Sequence, residues 1–121
     1  MLIIKPAQIE ATYLGECHGC LTANIVLDCK GWISRYGGYC LGNWFSDFTD
    51  HQFVGGYGAI IELMKAVGVD SWEMLKGQYV RVEFSNYLDG KILRIGHITK
   101  DQWFSFDDYF REMRRKHEID L

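Results

Sequence analysis

The run LTANIVLDC, residues 21–29, constrains this chain most. Leu21, Ala23, Ile25 and Leu27 alternate with Thr22, Asn24, Val26 and Asp28. Side chains of an extended backbone point alternately to opposite faces, so period two over this length specifies a strand buried on one side. The stretch Ala7–Gly15 before it is also strand-like. The two are joined through GECHGC, where Gly15 and Gly19 are expected to supply the turn. After the glycine-rich CKGWISRYGG, the apolar YCLGNWF reads as a third strand, with Gly37 and Gly38 as the bend before it.

The period then changes. In GAIIELMKAVGV, Ile60, Ile61, Met64 and Val67 share a helical stripe and Gly68 is a natural stop. DSWEMLKG reads as a short helical turn, capped by Asp70 or Ser71 and ended by Gly77. QYVRVEF and KILRIGHIT return to alternation on either side of SNYLDG, whose Asp-Gly pair is a hairpin signal. Ser105 caps a last helix, with Asp107 and Asp108 in its first turn and an apolar stripe of Phe106, Tyr109, Phe110 and Met113. The expected order is β-β-β-α-β-β-α. This is an α+β fold, an antiparallel β-sheet with two main helices packed on it, forming a single domain over residues 1–121.

With 121 residues the chain can build one core. A net charge of −3 argues against a general binder of long nucleic acid, which needs a basic excess to displace counterions. Aromatic residues make up 15%, more than a core of this size calls for, and point to a homo-oligomer of at least two copies. The start MLIIKPAQIEATYLG lacks the features of a signal peptide, and no stretch is long enough to span a membrane. These features lead to an expectation of a soluble cytoplasmic protein whose four cysteines are mostly reduced, which disfavours a disulfide framework.

Three clusters are candidate sites. Cys17 and Cys20 in ECHGC have C-x-x-C spacing, with Cys29 and Cys40 further on, but the second pair does not repeat the spacing. Cysteines in strands usually act as small buried hydrophobes, so no metal is expected. Gly55, Gly56 and Gly58 precede a helix, where free N–H groups favour an anion. Tight packing of loop on sheet explains these glycines more simply. The third cluster holds Arg35, Tyr36 and Tyr39 with Arg111, Arg114 and Arg115, whose i, i+3, i+4 spacing puts them on one helix face. Guanidinium groups grip phosphates and rings stack on bases, so these six residues, with His97 on its strand, are the candidate ligand contacts. The histidines at 18, 51, 97 and 117 are scattered, and neither His18 nor His97 has a neighbouring nucleophile or carboxylate in a recognisable motif, so no catalytic residue is expected.

Taken in order, IEATYLG, GGYCLG, GAIIELMKAVGVDSWEMLKGQYVRV and IGHITKDQWF, over about residues 9–106, resemble the phage Thoeris anti-defence proteins. The resemblance implies a homo-oligomeric sponge in the cytoplasm of the infected bacterial host, acting without a cofactor. It would sequester a small cyclic nucleotide immune signal, a cyclic ADP-ribose isomer or a cyclic oligonucleotide, without cleaving it. ECHGC departs from the acidic first hairpin of that family, and KGWISRY is bulkier and more cationic than its loop before GGY. Two other classes stay open: an inhibitor that binds a bacterial defence protein directly, and a small nucleotide-cleaving enzyme.

Overall fold

The computed structural model describes residues 2–45, 56–85 and 91–120. Its strands, β1 (Ile3–Cys17), β2 (Cys20–Asp28), β3 (Ile33–Asn43), β4 (Tyr79–Phe84), β5 (Ile92–His97) and β6 (Trp103–Phe104), form one six-stranded sheet in the order β3-β2-β1-β4-β5-β6. All neighbours are antiparallel. Helix α1 (Gly56–Val67) follows β3, a short 3-10 turn covers Trp72–Met74, and α2 (Phe106–Asp120) follows β6. The α+β order read from the sequence is the one observed, with β6 added as a two-residue edge.

β1 runs further in both directions than Ala7–Gly15 and passes through Pro6. It changes partner midway: Ile3–Gln8 pairs with β4, and Gln8–Cys17 pairs with β2. Ile9 exchanges backbone hydrogen bonds with the β4 side, through Gln78 and Gly77. By alternation Pro6 therefore faces the side where β2 has not yet begun, so its missing N–H removes no ladder bond. The register with β2 slips between Ile9 and Ala11, next to the change of partner. His18 and Gly19 alone make the following turn, both at positive φ (51° and 80°), as a type I′ hairpin requires. Gly15, expected in the turn, lies within β1.

The core lies on the sheet face that carries the helices. Ala7, Ile9, Ala23, Ile25, Leu27, Val80, Val82 and Ile95 line it, and Ala59, Leu63, Ala66, Val67 and Phe106 close it from above. The buried stripe of α1 is thus Gly56, Ala59, Leu63, Ala66 and Val67. Ile61, assigned to the stripe from its period, is exposed, and Ile60 and Met64 are only partly buried. Small residues replace them at the contact because α1 lies close to β3: a Cβ on Gly56 would land on the Leu41 carbonyl. On α2, Ser105 Oγ accepts the Asp108 N–H at 3.2 Å, the cap expected from the sequence. The Asp89-Gly90 turn lies outside the described residues, while its flanking strands β4 and β5 pair as the hairpin reading requires.

Gly37 and Gly38 do not form a bend between strands. Both lie inside β3, at φ 123° and 85°, where the register with β2 slips between Thr22 and Asn24. Ala23 alone faces Gly38 and Tyr39, so β3 carries an extra residue there, a β-bulge. The bulge shifts the alternation of β3 by one residue. Tyr36 and Tyr39, three apart and on opposite faces of a regular strand, both reach Phe106 on the core side, with ring centres 5.2 and 4.8 Å away.

A second departure from the sequence reading is covalent. Cys20 and Cys40 form a disulfide between β2 and β3, with 5.2 Å between their Cα atoms. The expectation of mostly reduced cysteines rests on compartment alone; adjacent strands bring these two within bonding range. Cys29 is buried as a small hydrophobe, as expected, and Cys17 is free and exposed.

Two outcomes follow. A Cβ on Gly37 would overlap the Ala23 carbonyl, in a backbone conformation that strains any L side chain. Gly37→Ala should destabilise by about 3 kcal/mol, read as a lower urea midpoint at unchanged slope. The Cys20–Cys40 link closes a loop of sequence separation 20, worth about 3 kcal/mol through the unfolded chain. Reduction with dithiothreitol should lower Tm by about 10 °C, and Cys40→Ser should do the same without reductant.

Candidate functional site

The structure divides the seven candidate ligand contacts among several places. Tyr36 is buried, and its phenol oxygen accepts the Phe106 N–H at 2.9 Å, fixing the first residue of α2. Tyr39 donates to Asp107 Oδ1 at 2.6 Å and stacks on Phe106. Both rings are packed in the protein and dock α2 onto β3. Burial raises both phenols well above the ordinary tyrosine range, and for Tyr39 the Asp107 carboxylate adds to the shift. Arg35 pairs with Val26 beside the core-facing Ile25–Tyr36 pair, so it lies on the opposite face of the sheet, exposed. Its aromatic neighbours in sequence are not its neighbours in space.

His97 serves the turn after β5. Its Nδ1 accepts the backbone N–H groups of Thr99 and Lys100 at 3.1 and 3.0 Å, which fixes the proton on Nε2. Arg111 and Arg115 bind their own helix, to Asp108 at 3.2 Å and Glu112 at 2.6 Å. The bond from Arg115 lowers the pKa of the Glu112 carboxyl. Arg114 is exposed, with no ion-pair partner among the described residues. Arg111 and Arg115 line a shallow depression of about 370 Å³ with Asp108 and Glu112. Gly56 and Gly58, expected before α1, lie in its first turn and serve packing: Gly56 meets Leu41, and a Cβ on Gly58 would land on the Tyr109 hydroxyl. Gly55 and His51 lie outside the described residues. The C-x-x-C reading fails as a thiolate set because Cys20 is bonded to Cys40.

A larger concavity of about 700 Å³ lies at the β6 edge, where α1 and α2 overhang the sheet. Trp103, Phe104, Tyr109 and Met113 give it an apolar wall, Arg94 and Lys116 bring positive charge, and Glu62, Asp108 and Glu112 supply acceptors. Its volume is that of a small-molecule pocket. The position of Trp103 follows from pairing. It faces Gly96 across β5 and β6, and its indole lies so close that a Cβ there would sit 2.5 Å from the ring. Because residue 96 has no side chain, the indole settles on the sheet.

Two guanidinium groups then flank that indole, Arg94 at 4.1 Å and Arg81 at 4.7 Å from the ring centre. Arg81 is also held by the carbonyls of His97 and Lys100, at 2.8 and 2.7 Å. Arg94 Nη2 donates to Glu83 Oε1 at 3.1 Å, while its Nε is buried without an acceptor among the described residues. Glu83 is 8% exposed, so Arg94 also neutralises a carboxylate held out of water. The arrangement gives a fixed cation in a groove wall, between an aromatic plane and a buried anion. The sequence alone singles out neither Arg94 nor Trp103. The only available signal was the alternation of QYVRVEF and KILRIGHIT, which puts Arg81, Glu83 and Arg94 on the non-core face.

Among the described residues no helix is long and apolar enough to cross a membrane. No protein-family model, curated protein or solved structure matches the chain.

Tyr36→Phe removes the acceptor of a buried N–H and should cost about 1–3 kcal/mol in a denaturant titration. The alkaline limit has the same origin. The folded state holds these phenols protonated above the ordinary tyrosine pKa of about 10. Above that pH the unfolded chain binds fewer protons, so stability should fall as pH rises past it. Tyrosinate absorbance in the native protein should show these rings ionising only together with unfolding.

Proposed function

We propose that this chain is a binding protein for a small nucleotide, held in the groove at the β6 edge and returned unchanged. The observation that carries the reading is the Arg94 guanidinium fixed 4.1 Å from the centre of the Trp103 ring in the groove wall. A cation held by stacking and by a buried carboxylate is preorganised, so binding an oxyanion sacrifices little side-chain freedom. Lys116 offers a second positive charge, the apolar wall suits a base, and Glu62 and Asp108 suit ribose hydroxyl groups. The resemblance to the Thoeris anti-defence proteins narrows the ligand to a cyclic ADP-ribose isomer, with cyclic oligonucleotides next. On that reading the protein is a homo-oligomeric phage sponge for an immune signal in the infected cell. Arg111 and Arg115, in the adjoining depression, contribute to the field around the groove rather than stacking with Tyr36 or Tyr39.

A second reading, an inhibitor that docks on a bacterial defence protein, draws on Phe45, which is 83% exposed beside the half-exposed Trp44 at one end of the sheet. Aromatic anchors of this kind are typical of interface centres.

The test uses the intact chain and a panel of cyclic ADP-ribose isomers and cyclic dinucleotides. After incubation, filtration and heat denaturation, mass spectrometry should find the bound signal intact. Lys116→Glu, on the groove rim, should weaken binding about tenfold or more by loss of one charge-assisted contact, with Tm unchanged. Retention of none of the panel sinks the reading, and recovery of a hydrolysed product makes the protein an enzyme. Capture of a defence protein that Phe45→Ala abolishes, with no nucleotide retained, establishes the second reading.

A further inference from the structure

We propose that Cys17, Cys20 and Cys40 form a thiol–disulfide exchange centre at the tip of the first hairpin, with Cys17 as attacking thiol and Cys40 as leaving thiol. Three cysteines are neighbours there on adjacent strands. Cys20 is bonded to Cys40 across β2 and β3, and Cys17 is the direct partner of Cys20 in the last rung of β1 and β2. Directly opposed residues in an antiparallel ladder have Cα atoms about 4.5–5.5 Å apart, inside the span a disulfide accepts. Cys20 thus has a bonding partner on each side, Cys40 at a Cα distance of 5.2 Å and Cys17 on the neighbouring strand. Cys17 is exposed and its thiol is free, as attack from solution-facing sulfur requires. The remaining cysteine, Cys29, is buried just past the far end of β2 and takes no part.

The step balances internally. The Cys17 thiolate attacks Cys20 Sγ, and the Cys17–Cys20 bond forms as Cys20–Cys40 breaks. The electron pair leaves on Cys40, which takes a proton from water, and the proton given up by Cys17 restores the balance. One disulfide is present before and after, so no oxidant or reductant is consumed. The two pairings do different mechanical work. Cys20–Cys40 ties the bulged half of β3 to β2, whereas Cys17–Cys20 merely closes the hairpin on itself. The tied half carries Leu41, against whose carbonyl Gly56 of α1 packs, and Tyr39, which holds Asp107 of α2. Exchange therefore frees the segment on which the N-terminal ends of both helices rest.

The native full-length chain, purified without reductant, is alkylated, digested with trypsin and mapped. Cleavage after Lys30 and Arg35 leaves Cys17 and Cys20 on one peptide and Cys40 on another, so the starting pairing links two peptides. A second sample stands for hours at pH about 8.5, near the ordinary thiol pKa, before alkylation. The expected result is a fraction in which the two peptides separate, with Cys40 alkylated and Cys17 protected. Cys17→Ser, shown by circular dichroism and Tm to be folded, should keep its peptides linked throughout. Cys17 fully alkylated and the peptides still linked after incubation overturns the proposal. So does a starting sample without the Cys20–Cys40 link, or a Cys17-bridged dimer as the sole product.

Discussion

One extra residue in β3 sets the arrangement of the helices. With regular alternation Tyr36 and Tyr39 would face opposite sides of the sheet, and α2 would keep only one of them. The bulge at Gly37 and Gly38 turns both rings toward the core. There Tyr36 accepts the Phe106 N–H, Tyr39 binds Asp107, and Phe106 is gripped by both rings and by Phe104. A free helix N-terminus has N–H groups without intrahelical partners, and a buried one must find acceptors. Tyr36 and Ser105 meet part of that need. The direction in which α2 leaves the sheet, and with it the overhang above the β6 edge, follows from this docking.

The same economy shapes the groove. Glycine at 96 lets Trp103 lie on the sheet, and the flat indole gives Arg81 and Arg94 a surface to stack on. Arg94 also faces Glu83, a buried carboxylate on the face of the sheet away from the core. Removing Arg94 would leave Glu83 charged and poorly solvated, which is more costly than the pair is stabilising. The pair is therefore better understood as fixing the position of a cation than as a source of stability. The arginines of α2 differ: Arg111 and Arg115 are exposed and paired within their own helix, where solvent screening leaves such ion pairs little effect on stability.

The hairpin tip shows how composition and geometry can pull apart. Reading four cysteines against a reducing compartment predicts mostly free thiols, and the C-x-x-C spacing, half of a metal-binding pattern, assigns no partner to Cys20. Neither argument includes the distance between strands. Cys20 and Cys40 are far apart in sequence but adjacent in the sheet, and Cys17 joins them because a His18–Gly19 turn returns the chain immediately.

By itself the sequence determined what depends on local physics. Alternation in LTANIVLDC and QYVRVEF specified strands, Ser105 specified the start of α2, and Gly68 the end of α1, because a period or a cap is set within one element. The α+β order followed from these elements. Only the tertiary structure decided register and neighbourhood. It placed Arg35 behind the sheet while Tyr36 went into the core, made Gly37 and Gly38 a bulge instead of a bend, and bonded Cys20 to Cys40. It also brought Arg94 onto Trp103, a pair joined by the β5–β6 rung and by the absence of a side chain at Gly96. The reason is common to all four: which residues meet across a sheet depends on pairing register, and a slip of one residue in β3 sends its side chains to the other face.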